Sequence, residues 1–242
     1  MNNDILWLIM LVVNFAMIMF AFRRWGKTGL FIWMPISCII ANIQVVKNAE
    51  IFGLESTLGN IVYATSFLAT DILSEFYGKE DANKAVKYGM FSLVCMTVLM
   101  QFAIMFTPSV SDVYSPSMSK LFSLMPRITV ASFAAYYLSN RHDIWAFMYW
   151  KEKTDGKYLW FRNNASTMVS QMIDTLVFTL GAFLFVFPIR SLVQIMFTTY
   201  LLKIVTALFD TTMIYLARRW IKKGKIKDYN NLDSTTSVVS EN

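Results

Sequence analysis

Long apolar runs alternate with short polar connections along most of this 242-residue chain. A membrane-spanning helix needs roughly 17 to 25 mostly apolar residues, and seven stretches meet or approach that length. The predicted helices are Ile5 to Phe22, Gly29 to Val46, Leu58 to Phe76, Lys87 to Thr107, Pro126 to Leu138, Ala165 to Phe187 and Ser191 to Ala217. The pattern therefore predicts an all-α fold, a polytopic transmembrane bundle of about seven helices.

The fifth predicted helix is the shortest. The region from Tyr136 to Tyr149 either prolongs it or turns along the membrane surface. Aromatic and charged residues mix between Arg141 and Arg162, which predicts a connection in the headgroup layer, with His142 as a solvated loop residue. We interpret residues 1–228 as a single transmembrane domain and residues 229–242 as a polar, disordered cytoplasmic tail.

Composition supports the membrane interpretation, because apolar residues make up 56% of the chain and charged residues only 16%, against about 25% charge in soluble domains. Of the Lys and Arg residues, 17 lie on the side reached after the odd-numbered helices and four on the opposite side. The positive-inside rule then predicts a cell inner membrane protein with its N-terminus outside and its C-terminus cytoplasmic. The net charge of +6 thus reflects topology and indicates no direct nucleic-acid partner.

Five ionisable residues fall inside the predicted helices, where each costs at least ~2.5 to 3.5 kcal/mol on insertion scales. They are Asp71, Glu75, Asp174, Lys203 and Asp210. With a rise of about 1.5 Å per residue, all five fall between the midplane and about 12 Å on its cytoplasmic side. Each of these residues belongs to a stripe of mostly polar residues spaced three or four apart along its helix. Such stripes are expected to face the interior of the bundle.

Structural roles stay open for several of these residues. Lys203 can pair with Asp174 or Asp210 as a folding tie, Glu75 lies near a helix end, and Arg127 follows a proline near the outer surface. Four carboxylates against one lysine nevertheless leave an excess of acid that requires protons, water or a ligand. Neither the cysteines nor the single histidine is placed to form a metal site.

Several blocks together resemble the queuosine precursor transporter family, also called the vitamin-uptake-like family. They are the run Ala69-Thr70-Asp71-Ile72-Leu73-Ser74-Glu75-Phe76-Tyr77-Gly78, the run Arg127-Ile128-Thr129-Val130-Ala131-Ser132-Phe133, the run Leu159-Trp160-Phe161-Arg162-Asn163-Asn164-Ala165-Ser166-Thr167 with Ser170-Gln171 and Asp174-Thr175, and Lys203 with Asp210-Thr211. The resemblance covers roughly Pro35 to Tyr215. Members often have Asp-Thr-Pro where this chain has Asp210-Thr211-Thr212, so a helix kink expected there is missing or softened.

The resemblance implies that the chain is a transporter rather than an enzyme, with no cofactor and no metal. Its implied solutes are 7-cyano-7-deazaguanine and 7-aminomethyl-7-deazaguanine, flat bases used later to modify transfer RNA. The residues expected to bind the base are Asp71, Asp174, Gln171, Lys203, Asn164, Phe67 and Ser132. The residues expected to serve coupling or ion pairing are Glu75, Asp210 and Arg127.

Two other classes of protein share part of this pattern. A retinal-binding photoreceptor also has seven helices and a lysine in the last one, but here residue 199, one turn before Lys203, is Thr rather than an acid. A structural or regulatory membrane subunit needs no binding site at all. No phosphate-binding Gly-rich loop is present, so direct use of ATP by this chain is not expected. An energising partner, ion coupling and simple downhill uptake are alternatives for the source of energy, and the sequence also allows a homo-oligomer.

Overall fold

A computed structural model describes residues 2–185, 188–226 and 228–229 of the chain. The described part contains eight α-helices and one β-hairpin. The elements are α1 Asn3–Trp25, α2 Lys27–Gln44, β1 Asn48–Ile51, β2 Leu54–Thr57, α3 Gly59–Phe76, α4 Lys79–Met105, α5 Ser115–Phe122, α6 Met125–Lys153, α7 Leu159–Phe183 and α8 Ile189–Lys222. The all-α prediction is confirmed, and the short α5 and the hairpin are additions to the seven predicted helices.

Four helical stretches are long and apolar enough to cross a membrane within the described residues. They are Asn3–Gln44, Lys79–Met105, Ser115–Lys153 and Leu192–Lys222, which together contain every helix except α3 and α7. α3 and α7 carry many polar side chains, and these are buried inside the bundle. Because lipid does not reach the buried polar faces of α3 and α7, these two helices form the interior of the bundle.

The helices α4, α6 and α7 are longer than predicted. α4 begins at Lys79 instead of Lys87, α6 ends at Lys153 instead of Leu138, and α7 begins at Leu159 instead of Ala165. The predicted surface connection from Arg141 to Arg162 is therefore wrong for most of its length, since only a short link separates α6 from α7. The added turns of α6 and α7 bury polar side chains such as Asn140, Asp143 and Arg162, so the apolar pattern does not reveal them.

The β-hairpin closes one end of the bundle, and we call this the hairpin end. Its turn residues Phe52 and Gly53 both have positive φ, at 52° and 73°, as a two-residue type I′ turn requires. The backbone N–H of Phe52 donates to the Asp4 carboxylate at 2.7 Å, and its ring packs edge-on against Trp7. The hairpin thus holds the start of α1 beside the connection from α2 to α3.

The opposite end carries most of the basic residues, and we call it the basic end. Here the Asp228 carboxylate accepts hydrogen bonds from the Lys27 backbone N–H at 2.6 Å and from the Tyr77 hydroxyl at 3.2 Å. Burial and the adjacent Asp228 raise the pKa of Tyr77, which keeps the phenol a neutral donor. Tyr229 packs edge-on against Tyr77; the predicted tail from residue 230 onward lies outside the described residues.

α8 continues without interruption past Thr212, the position at which the resemblance implied a proline. It runs for 34 residues through Asp210, Thr211 and Thr212. Thr212 can donate its backbone N–H to the helix, which a proline there cannot do. Asp210 is therefore held in a regular helix, fully buried beside α3 and α7.

Candidate functional site

A cavity of about 50 Å³ lies toward the hairpin end, between the ends of α2 and α3 and the inner faces of α4, α6, α7 and α8. This volume holds about three water molecules. Its lining consists of Cys38, Ala41, Asn42, Val45, Gly59, Asn60, Tyr63, Leu93, Ser132, Ala135, Tyr136, Asp174, Phe178 and Lys203. Three of the expected binding residues, Ser132, Asp174 and Lys203, meet at this cavity.

The cavity floor is an ion pair between Lys203 on α8 and Asp174 on α7. Both side chains are almost completely buried, with 3% and 4% exposed. The other oxygen of Asp174 accepts hydrogen bonds from the Tyr63 hydroxyl at 2.6 Å and the Ser139 hydroxyl at 3.2 Å. A buried ion pair needs such additional donors to offset the loss of water. Lys203 therefore pairs with Asp174, one of the two partners that the sequence left open.

Aromatic rings surround this floor on the α3 side. The Lys203 ammonium lies 5.3 Å from the centre of the Tyr63 ring, within the range of a cation–π contact. Phe67 packs edge-on against Tyr63, with ring centres 5.5 Å apart. Phe67 is fully buried and does not line the cavity, so it supports Tyr63 from behind, whereas Phe178 lines the cavity directly.

Gln171 lies one helical turn from Asp174, toward the basic end. It is fully buried, and neither its amide oxygen nor its amide nitrogen has a hydrogen-bond partner among the described residues. Buried polar atoms without partners are rare in native proteins, since each costs about 1 to 3 kcal/mol. Asn164 is also buried: its amide nitrogen donates to Thr211 at 3.1 Å, while its oxygen has no partner in the described part of the chain.

Asp71 and Asp210 do not line the cavity. They belong to a second group, the carboxyl cluster, which also includes Asp143. Thr167 donates to Asp71 at 3.4 Å, and the carboxylates of Asp71 and Asp143 interact electrostatically. The expected single site is thus divided into two layers along α7 and α8.

Sequence reasoning missed Asp143, because it was assigned to a polar connection beside His142. The structure places Asp143 within α6, with no exposed surface. The signal available in the sequence was spacing: Tyr136, Ser139, Asn140 and Asp143 follow one another at helical steps and form one buried face.

Glu75 forms a salt bridge to Arg162, with oxygen to nitrogen distances of 2.8 and 3.2 Å. Lys151 approaches the same carboxylate at 3.4 Å. Arg162 also donates to the backbone carbonyls of Lys157 and Gly156 and has no exposed surface. The predicted ion-pairing role of Glu75 thus has a partner in Arg162, which was counted as a loop charge in the sequence.

Arg127 lies apart from both layers. Its guanidinium is exposed and donates to the Leu184 carbonyl at 2.9 Å. It lines a separate open groove of about 520 Å³ between α6 and α7. This position fits a helix anchor near the hairpin end better than a contact to a ligand in the cavity.

Comparison with known proteins identifies the family of this chain. Residues 57–217 match the family described as "Putative vitamin uptake transporter". A Bacillus subtilis (strain 168) protein named "Probable queuosine precursor transporter" is 36% identical over 222 residues, 91% of this chain and 97% of that protein. A Haemophilus influenzae protein of the same name is 28% identical over 158 residues, 65% of this chain and 64% of that protein.

No solved structure matches the chain. The family match includes every residue of the cavity floor and the carboxyl cluster. Family membership favours transport over the photoreceptor and structural-subunit alternatives, and it identifies a transporter rather than an enzyme. This chain belongs to the vitamin uptake transporter family of multi-pass membrane proteins.

Proposed function

We propose that this transporter takes up queuosine precursors, the deazaguanine bases, and that the cavity floor is their binding site. The observation that carries the proposal is the Gln171 amide, which is buried one turn from the Asp174–Lys203 pair and has no hydrogen-bond partner in the described part of the chain. A site that hydrogen-bonds a polar ligand leaves such groups unpaired when the ligand is absent. The names of the two relatives supply the class of solute.

The chemistry of a guanine-like edge matches these groups. Its adjacent N–H donors can bind the two oxygens of a carboxylate such as Asp174, and its ring carbonyl can accept from Lys203 or from the Gln171 amide. The Tyr63 and Phe178 rings provide faces against which a flat base stacks. Asn164, Asp71 and Phe67 then support the site from behind rather than by contact across the cavity.

Binding of a base requires the cavity to widen, because about 50 Å³ holds only a few water molecules. The step that creates room is separation of Lys203 from Asp174, since this pair closes the floor. The base then hydrogen-bonds to both charged groups, so neither is left buried without a hydrogen-bond partner. Transporters that expose a site to one side at a time change conformation in each cycle.

We place the hairpin end outside the cell inner membrane and the basic end in the cytoplasm. The distribution of Lys and Arg supports this orientation, because the basic end receives 17 of them and the other side four. In this orientation the N-terminus is outside and the cavity lies toward the side from which an external base arrives. The choice between the cyano and the aminomethyl base is left to experiment.

The test uses cells that cannot synthesise the precursor and lack their own uptake protein. At limiting external base, expression of this transporter is expected to restore queuosine in transfer RNA. Lys203→Met is expected to abolish the restoration, whereas Lys222→Met, an exposed position on the same helix, serves as the control. Failure of the unaltered protein with both deazaguanine bases would overturn the proposal.

A further inference from the structure

The carboxyl cluster has a property that the binding site does not explain. Asp71, Asp143 and Asp210 come from α3, α6 and α8, and at most 1% of each is exposed. Each interacts electrostatically with at least one of the others. Three like charges that interact with one another at this depth of burial repel strongly if all are ionised.

Two buried cations on the adjoining helices α7 and α8 are already paired. Lys203 binds Asp174 and lies seven residues from Asp210, about 10 Å along the helix axis. Arg162 binds Glu75 at the basic end. Because each of these cations already neutralises a different buried carboxylate, neither is left to neutralise the cluster.

The other elements packed around the cluster supply no counter-ion within the described residues. His142 is bonded to the Ser170 hydroxyl at 2.9 Å. On α6, Arg141 bonds to Asn83, and Lys151 binds Glu75. The remaining charged side chains of α1, α2 and α4 lie toward the ends of the bundle: Asp4, Arg23, Arg24, Lys27, Lys79, Glu80, Asp81, Lys84 and Lys87. Tyr63 and Tyr136 donate their hydroxyl hydrogens to Asp174 and Met34.

Hydrogen bonding gives an independent indication of what the cluster lacks. Both oxygens of Asp143 and of Asp210 have no donor among the described residues, and the side-chain oxygens of Asn140, Asn163 and Asn164 share this condition. Asn163 lies one turn before Thr167, the residue that contacts Asp71, so it faces the cluster. Acceptors thus exceed donors, and protonation of a carboxylate converts an acceptor into an O–H donor.

Resting on the proposed uptake function, we propose that Asp71, Asp143 and Asp210 form a proton-binding site that takes up and releases a proton in each transport cycle, so that the proton gradient drives accumulation of the base. The proton comes from water on the hairpin side, forms an O–H bond on the cluster, and returns to water at the basic end.

The connection to the binding site runs through two helices. α7 carries Asp174 and also Thr167, which contacts Asp71, while α8 carries Lys203 and also Asp210. Separation of the Asp174–Lys203 pair moves α7 and α8 relative to each other, and that motion changes the surroundings of the cluster. The free energy of protonation therefore depends on whether the base is bound, and the reverse also holds, as cotransport requires.

The first test does not depend on transport. Infrared difference spectra of the purified protein are recorded near neutral pH for the C=O stretch of protonated carboxylic acids. We expect this band in the unaltered protein, its loss or reduction in Asp143→Asn and Asp210→Asn, and no change in Asp155→Asn, an exposed control. Absence of a band that the cluster substitutions remove would overturn the proposal, whatever solute is carried.

The second test separates coupling from binding in proteoliposomes. With an inward proton gradient, the unaltered protein is expected to accumulate base and to lose accumulation when a protonophore is added. Asp143→Asn is expected to keep base exchange across the membrane while losing accumulation. Because Asn resembles a protonated Asp in shape and hydrogen bonding, this variant is expected to fold, and its exchange activity reports folding directly.

The outcomes distinguish the two proposals. If the unaltered protein neither exchanges nor accumulates either base, the proposed function fails, and the infrared result alone decides the proton site. If exchange and accumulation are intact but accumulation follows a sodium gradient or ignores the proton gradient, the proton proposal is overturned while the uptake function stands.

Discussion

The guanidinium of Arg162 binds both oxygens of Glu75, at 2.8 and 3.2 Å, and thereby ties the start of α7 to the end of α3. Arg162 has no exposed surface, and 6% of the Glu75 side chain is exposed. Removal of one partner from such a pair leaves a buried charge unpaired, which is much more costly than losing an exposed pair.

Glu75→Gln is therefore expected to lower the free energy of unfolding by about 3 kcal/mol. The exposed Glu152→Gln, at the end of α6, is expected to change it by less than about 0.5 kcal/mol. Denaturant unfolding of both variants in detergent provides the comparison. Equal stability of the two variants would show that the Arg162 pair contributes nothing to folding.

The Asp174–Lys203 pair allows a test that separates stability from function. Asp174→Asn and Lys203→Met each leave one charge buried without its partner, so each is expected to lose about 3 kcal/mol of stability. The double variant leaves neither charge and is expected to recover most of that loss. Base uptake is expected to be absent in all three variants. Recovery of uptake in the double variant would show that the pair contributes only to stability.

Tyr63 holds the Asp174 carboxylate in place through a hydrogen bond of 2.6 Å. Tyr63→Phe removes this bond to a charged acceptor, which is worth about 1.5 to 3 kcal/mol, so affinity for the base is expected to fall by about tenfold or more. The matched control is Tyr88→Phe, an exposed position on α4. Binding of labelled base to the purified protein measures the change, and unchanged affinity would place the base away from Asp174.

Orientation in the membrane can be read from the reaction of single cysteines with an impermeant thiol reagent. Val110→Cys, in the exposed segment between α4 and α5, is expected to react in intact cells. Asp155→Cys, in the link between α6 and α7, is expected to react only after lysis. Both are made in a chain whose Cys38 and Cys95 have been replaced by serine, and the reverse pattern would invert the proposed topology.

The helix order was predictable because apolar runs of membrane length leave a strong signal in sequence. The end of α6 and the start of α7 were not, because the second half of α6 and the first turn of α7 bury polar side chains such as Asn140 and Arg162. A polar residue looks like part of a connection until its partner is known. The partners of these residues, Glu75 among them, come from distant parts of the chain.

The same limit applies to the site. Spacing along α7 and α8 correctly indicated inward-facing stripes, and the pairing of Lys203 with Asp174 was one of two options that the sequence allowed. Division into two layers depends on how far α3 and α6 are displaced along the bundle axis, which helix periodicity does not specify. Asp143 was missed for a different reason, because it was assigned to a polar connection, although its spacing from Asn140 and Ser139 was visible.

The close contact at Gly59 has a mechanical consequence. A side chain at this position would collide with the Ala41 carbonyl oxygen, so the backbones of α2 and α3 touch at the rim of the cavity. The Leu58 N–H also donates to the Lys47 carbonyl at 3.1 Å, which closes the hairpin beneath them. α2, the hairpin and α3 thus pack as one rigid unit. We expect the movement that admits a solute to occur in the facing helices α6, α7 and α8.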